Sequence, residues 1–254
     1  MIHRLLLVAA LLLGAVSLPA ASGDLARWER SLVTLEVNGQ AHNSIQPLTR
    51  RSRTFTKSGV VIDQRRILTT ADMMNDLLLV RLQKGGRGKW YSGQLEWVDY
   101  HANLALVSCS DDEFWDGLRP ASLMSKIPFG EEARVLRWRE GKIDARKMEI
   151  NRVQVGRQTF IDVMHLELNG EAQGIGFGEP VIDGSRVIGL MQQQESGGGL
   201  AVPAPFIDMI LKAHAKDRYP GLGFFNFYWQ RAENPATLQA LKLDDEALYV
   251  LVRK

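Results

Sequence analysis

From Ser31 onward the sequence is a succession of short apolar or alternating segments, each closed by Gly, Asn or Asp. This punctuation constrains the fold more than any other feature. Residues 31–37 alternate apolar and polar side chains as a half-buried strand does. Residues 59–63 and 66–70 flank a tight turn at Gln64 and Arg65, which is a hairpin signal. Residues 77–82, 90–98, 104–109, 133–138, 147–155 and 160–168 continue the pattern, and 200–203 is a last short strand. Such brief segments predict an all-β barrel or sandwich rather than a βαβ fold. Residues 38–54, which include the basic run Arg50, Arg51, Arg53, read as a polar loop, and 111–117 as a polar turn.

Residues 172–190 hold the densest turn chemistry. Gly174, Gly176, Gly178 and Pro180 form a tight loop, followed by two short strands about a turn at Asp183, Gly184 and Ser185. Closely spaced glycines let a backbone turn sharply and bring its N–H groups near another surface. No Ser, Thr or Cys lies between Ala172 and Ile182. Residues 24–30 predict a short helix. Residues 204–215 carry Phe206, Ile207, Ile210 and Leu211 at helical spacing, which predicts an amphipathic helix closing the domain. Residues 216–221 read as a linker. The tail then offers an aromatic strand at 224–229, a short helix at 235–241 and a strand at 247–252, too little to build a core of its own.

The 254 residues, 45% hydrophobic and 24% charged, suffice for one large or two moderate cores. A formal net charge of +2 argues against nucleic acid as a partner. Cys109 is the sole cysteine, so no intramolecular disulfide can form, and its place after an apolar run reads as core. No clustered His/Cys spacing or H-E-x-x-H indicates a metal, and no cofactor motif is present. The first residues combine a basic start, an apolar run and small residues, predicting a signal peptide over residues 1–22 and export to the periplasm or medium. The apolar run is shorter than the roughly 20 residues needed to span a bilayer, so no stable membrane insertion is expected after cleavage.

Ser31-Leu-Val, Ser58-Gly-Val-Val-Ile-Asp63, Ile67-Leu-Thr-Thr-Ala71, Asn103-Leu-Ala-Leu106, Asp111-Asp-Glu-Phe-Trp-Asp-Gly117, Ile127-Pro-Phe129, Gly178-Glu-Pro180 and Ala201-Val-Pro-Ala-Pro205 occur in the order found in one family. On these residues the chain resembles the HtrA/Deg trypsin-like proteases, most of all the plant-type Deg branch and its bacterial relatives. The resemblance implies a two-barrel chymotrypsin/trypsin-like fold over 24–215. The tail, with Trp229-Gln230 and Glu233-Asn-Pro235, is similar to the linker and first strands of the family's PDZ domain, so 216–254 is expected to be a linker and an incomplete PDZ-like segment.

In the family's chemistry a Ser hydroxyl attacks a carbonyl, a His takes its proton, an Asp orients the His, and backbone N–H groups hold the oxyanion. The motif that carries the family's His is Leu68-Thr-Thr-Ala-Asp72 here, which puts Asp72 at the base position. The motif that carries its Asp begins with Asn103. The nucleophile's motif puts Phe177 at the serine position, with Ile175, Gly176 and Phe177 as a vestigial oxyanion loop. Separations of 31 residues from Asp72 to Asn103 and 74 from Asn103 to Phe177 keep the family's register.

The expectation is therefore a triad replaced at all three positions: a protease homologue without catalysis, acting through a protein or peptide partner. Phe177 would fill the space of a scissile carbonyl, and Glu179 would set a carboxylate near the oxyanion donors. The competing reading is an active serine endopeptidase or hydrolase with its nucleophile elsewhere, and Ser185 is then its best candidate. His42, His101, His165 and His214 read as solvated or hydrogen-bonded imidazoles. Family members commonly trimerise through N-terminal segments, which makes a homo-oligomer part of the expectation. A second route to a partner, peptide capture by the Gly221-Leu-Gly-Phe224 loop, is disfavoured, because the tail lacks the rest of a PDZ groove.

Overall fold

The computed structural model describes residues 21–41, 45–46, 48–49, 51–63, 65–158, 161–171, 173–223, 228–232, 234–243 and 250–253. The expected signal peptide, apart from its last two residues, lies outside them, as do Phe224, Phe225 and Phe227 of the tail's expected aromatic strand.

A helix, α1 (Ala21–Trp28), leads into six strands: β1 (Leu32–Ala41), β2 (Arg51–Val61), β3 (Ile67–Thr69), β4 (Leu77–Lys84), β5 (Tyr91–Asp99) and β6 (Leu104–Ser108). They close into a barrel in the order β1-β2-β3-β6-β5-β4. Alternation in β1 sends Val33, Leu35 and Val37 inward, where they meet Val61, Ile67, Leu82 and Val107. A four-residue helix, α2 (Asp112–Trp115), and β7 (Ser122–Leu123) connect to the second set of strands.

That set is β8 (Glu132–Arg139), β9 (Lys142–Gln158), β10 (Ile161–Gly170), β11 (Pro180–Asp183), β12 (Arg186–Glu195) and β13 (Gly198–Pro203). Its order is β11-β8-β9-β10-β13-β12, and β11 also pairs with β12, so the ring closes on itself. β7 runs parallel alongside β12. Helix α3 (Ala204–His214) follows β13, and the tail supplies β14 (Tyr228–Arg231), α4 (Pro235–Leu241) and β15 (Val250–Arg253), with β14 and β15 paired.

The two barrels share a core. Trp28, Leu32, Leu68 and Leu104 belong to the same buried cluster as Leu136, Ile182, Val187 and Leu190, and α3 closes it with Phe206, Ile207 and Ile210. Trp138 of the second barrel donates its indole N–H to the Leu32 carbonyl at 2.7 Å. The expected all-β two-barrel architecture, with a helix after the last strand of the second barrel, is what forms.

Several local expectations need correction. Residues 38–54 are not all loop: β1 runs on to Ala41 and β2 begins at Arg51, with Asn38 opposite Thr54 and Ala41 opposite Arg51. This arm carries exposed polar side chains, so it has no apolar alternation, and its ladder hydrogen bonds do not need one. Arg51 and Arg53 are thus strand residues, although exposed as expected. The turn expected at 111–117 contains α2, because the Asp111 carboxylate accepts from the Glu113 backbone N–H at 3.0 Å and caps it, while Phe114 is fully buried. β9 starts at Lys142 rather than near 147; Glu140 and Gly141, with φ of 52° and 77°, make a two-residue hairpin turn with the geometry that suits right-twisted strands. Tyr219, in the expected linker, is fastened to the first barrel through a 2.6 Å hydrogen bond from its hydroxyl to Asp99.

Candidate functional site

The three positions that the resemblance assigns to the triad lie on separate segments: Asp72 just after β3, Asn103 just before β6, and Phe177 in the loop before β11. Asp72 and Asn103 meet directly. The Asn103 amide donates from Nδ2 to Asp72 Oδ2 at 2.9 Å, and its Oδ1 accepts from the Asp72 backbone N–H at 3.1 Å. Asn103 is buried and left-handed, with φ of 54°, a conformation that Asn tolerates better than most residues. Its amide N–H also points to Gln192 Oε1 of the second barrel, 3.4 Å away.

The contact with Gln192 opens a buried polar chain across the two barrels. Gln192 sits at a register shift between Met191 and Gln193, where β12 bulges against β13. Its Nε2 donates to His165 Nδ1. His165 is buried on β10, and its Nε2 lies 3.2 Å from the Gly156 carbonyl. A carbonyl only accepts, so Nε2 carries the proton and Nδ1 is the acceptor: the ring is neutral. Burial pulls its pKa below the usual imidazole value, partly offset by the Gly156 carbonyl and by Glu195.

Phe177 is partly exposed, and its carbonyl accepts from the Ser58 backbone N–H at 3.0 Å. The next residue explains the close approach. Gly178 has φ of 72°, and a Cβ there would lie 2.2 Å from the Ser58 carbonyl oxygen and 2.4 Å from Thr69 Oγ1. Only glycine lets the loop rest on the first barrel.

Glu179 folds back into its own loop. Its Oε1 accepts from the Gly176 backbone N–H at 2.8 Å, and the side chain is almost wholly buried, with the Arg137 guanidinium 3.7 Å away. Burial raises its pKa to about 7, outweighing the Gly176 N–H and Arg137, which act in the other direction. The loop is held from the flanks as well: Arg137 donates to the Gly174 carbonyl, Arg146 to the Gln173 carbonyl, and the Gly174 N–H donates to Gln194 Oε1 at 3.1 Å.

Lys57 was not legible as a site residue. Its ammonium is buried under Asp72 and donates to the backbone carbonyls of Thr70 and Asp72, each at 2.6 Å. Desolvation lowers its pKa to about 7, against the opposing pull of the Asp72 carboxylate. One signal was available: Lys57 is in period-two step with Gly59 and Val61, so it falls on the inward face of β2. Gln192 gave no such signal, since the run Gln192-Gln193-Gln194 conceals which one the bulge turns inward.

Among the described residues, none of the other candidates hydrogen-bonds to Asp72, Asn103 or Phe177. Ser185 belongs to the turn between β11 and β12, whose Gly184 carbonyl accepts from the Trp28 indole at 3.2 Å. The His214 ring packs on Trp97 with 4.7 Å between centroids, and His101 is exposed. His42 lies outside the described residues. Cys109 is buried, and burial pushes its thiol pKa up. Among the described residues no group of three His, Cys, Asp or Glu side chains is placed to hold a metal ion, and no helix is long and apolar enough to cross a membrane.

Two closed barrels with a shared core, and a glycine loop of the second resting on the first, define the trypsin-like protease fold. The HtrA-type protease AlgW, solved with a decapeptide, superposes with a TM-score of 0.66 over 92% of this chain and 78% of its own, at 15% identity. The Rv3671c protease of M. tuberculosis in its active form superposes with a TM-score of 0.60, covering 82% of this chain and 89% of its own, also at 15% identity. In sequence the chain is similar to the putative mitochondrial proteases Do-like 3 and Do-like 12 of Arabidopsis thaliana, at 24% identity over 78% of the chain and 23% over 88%. It is also similar to a serine protease DegP homolog of Plasmodium falciparum, at 19% over 80%. It is thus a homologue of the HtrA/Deg trypsin-like proteases. No protein-family profile matches it. The chain spans 37% and 47% of the length of the two Arabidopsis relatives.

Proposed function

We propose that this chain is a non-catalytic member of the trypsin-like protease fold, exported and used as a binding, scaffolding or regulatory module for a protein or peptide partner. The observation that carries the reading is the closed pairing of Asp72 with Asn103. The Asn103 amide does not titrate and the pair contains no imidazole, so the His–Asp arrangement by which a triad activates its nucleophile is missing here. Two features of the glycine loop support the same reading. Phe177 offers no hydroxyl or thiol, and the Gly176 N–H is already taken by the Glu179 carboxylate. Ser185, the alternative nucleophile, belongs to the turn whose Gly184 carbonyl accepts from Trp28, and it shares no hydrogen bond with the Asp72 and Asn103 pair.

Incubation with casein and with a fluorophosphonate serine probe tests the proposal. Neither cleavage nor labelling is expected. Labelling that Ser185→Ala abolishes would establish the active hydrolase instead.

A further inference from the structure

A second concave site lies where α1 meets the segment before β7. Its pocket, about 470 Å³, is lined by Ala26, Arg27, Arg30, Ser31, Arg119 and Pro120. Among the described residues that line it, three of six are arginines and none is acidic. Elsewhere in the protein Arg65, Arg66, Arg81, Arg137 and Arg152 each meet a carboxylate within 3.0 Å. Arg27, Arg30 and Arg119 engage no side-chain partner among the described residues. The adjacent carboxylate, Glu29, does not line the pocket.

The walls are fixed by main-chain bonds and a buried hydroxyl. The Arg119 N–H donates to the Arg30 carbonyl at 2.7 Å, and Ser31, which is 4% exposed, donates its hydroxyl to the Arg119 carbonyl at 2.8 Å. The Ser31 N–H returns to the Trp28 carbonyl at 3.0 Å, and Trp28 is 1% exposed in the shared core. The three guanidinium stems therefore start from a rigid frame, which lowers the ordering cost of binding. Guanidinium groups match phosphate oxygens through paired N–H donors, and several around one concavity raise the local concentration of anions. The volume lies in the range of small-ligand pockets, about 300 to 1,000 Å³, which leaves room for the organic part of an ester beside its phosphate.

We propose that this pocket binds a phosphate ester or diphosphate group. The site is built from residues that take no part in the Asp72, Asn103 and Phe177 arrangement, so it stands independently of the reading of that site. Calorimetric titration of the full chain with inorganic pyrophosphate at fixed ionic strength tests it. Saturable binding is expected, weakened at least about tenfold in Arg30→Gln/Arg119→Gln, because each lost pair is a charge-assisted contact. Arg152→Gln on β9 should leave it unchanged. Vesicles containing phosphatidic acid distinguish the source of the phosphate. Arginine-dependent binding to them as well supports a lipid headgroup, and binding of pyrophosphate alone supports a soluble phosphate. Absence of saturation with either probe, or an equal loss in Arg152→Gln, overturns the proposal.

Discussion

Asn103 grips Asp72 at two points, donating to its carboxylate at 2.9 Å and accepting from its backbone N–H at 3.1 Å. Both groups of the amide are used at once, Nδ2 as donor and Oδ1 as acceptor, which an ionised carboxylate cannot reproduce. Asn103→Asp should therefore destabilise the protein although it restores the carboxylate that the resemblance expects, because two carboxylates would face each other. Asn103→Ala should cost about 1 to 3 kcal/mol by stranding buried polar groups. Urea denaturation of both variants measures this, and an Asn103→Asp variant as stable as the parent at neutral pH would contradict the geometry.

Lys57 ties stability to alkaline pH. Its folded pKa of about 7 lies below the ordinary lysine value, so between about pH 7 and 10 the unfolded chain holds the extra proton. Stability should rise with pH across that window, by roughly 1 kcal/mol per pH unit at the steepest. Lys57→Met should flatten the slope, as read from denaturation midpoints at a series of pH values.

Glu179 acts in the opposite direction. Its folded pKa of about 7 lies above the ordinary carboxylate value, so the folded state holds the extra proton between about pH 4.5 and 7, and stability should fall as pH rises through that interval. Glu179→Gln keeps an oxygen for the Gly176 N–H and removes the buried charge. The variant should melt higher than the parent at pH 8, and the difference should vanish near pH 4.

Gly178 joins the glycine loop to the first barrel. Gly178→Ala combines a left-handed φ of 72° with a Cβ 2.2 Å from the Ser58 carbonyl oxygen. A loss of about 2 to 4 kcal/mol is expected from strain and overpacking together. Gly184→Ala, also at positive φ but with no atom within 4 Å of its Cβ, should cost less, which separates the clash from the backbone term. Thermal denaturation of the two variants side by side reads the difference.

Sequence reasoning reached most of the architecture because strands and turns are encoded locally. Alternation at Val33, Leu35 and Val37 marks an inward face whatever lies across from it, and Gly174, Gly176 and Gly178 mark a tight loop wherever it lands. It failed at the arm formed by the ends of β1 and β2, where pairing is carried by backbone groups that every sequence has, and at α2, where one Asp111 cap decides between turn and helix. Ser185 read as a candidate only because nearness to a glycine loop in sequence was the one measure of reach available.

The identities at positions 72, 103 and 177, and with them the lack of an imidazole and a hydroxyl there, were determined by the sequence alone. What those residues do instead was decided by the tertiary structure. The Asp72 and Asn103 contact closes over 31 residues, Asn103 and Gln192 over 89, and Gln192 and His165 over 27. Hydrogen bonds depend on distance and direction in space, and no local pattern in the chain fixes either until the barrels have packed. The near-neutral pKa values of Lys57 and Glu179 have the same origin, since desolvation is set by what the rest of the fold places around a charge.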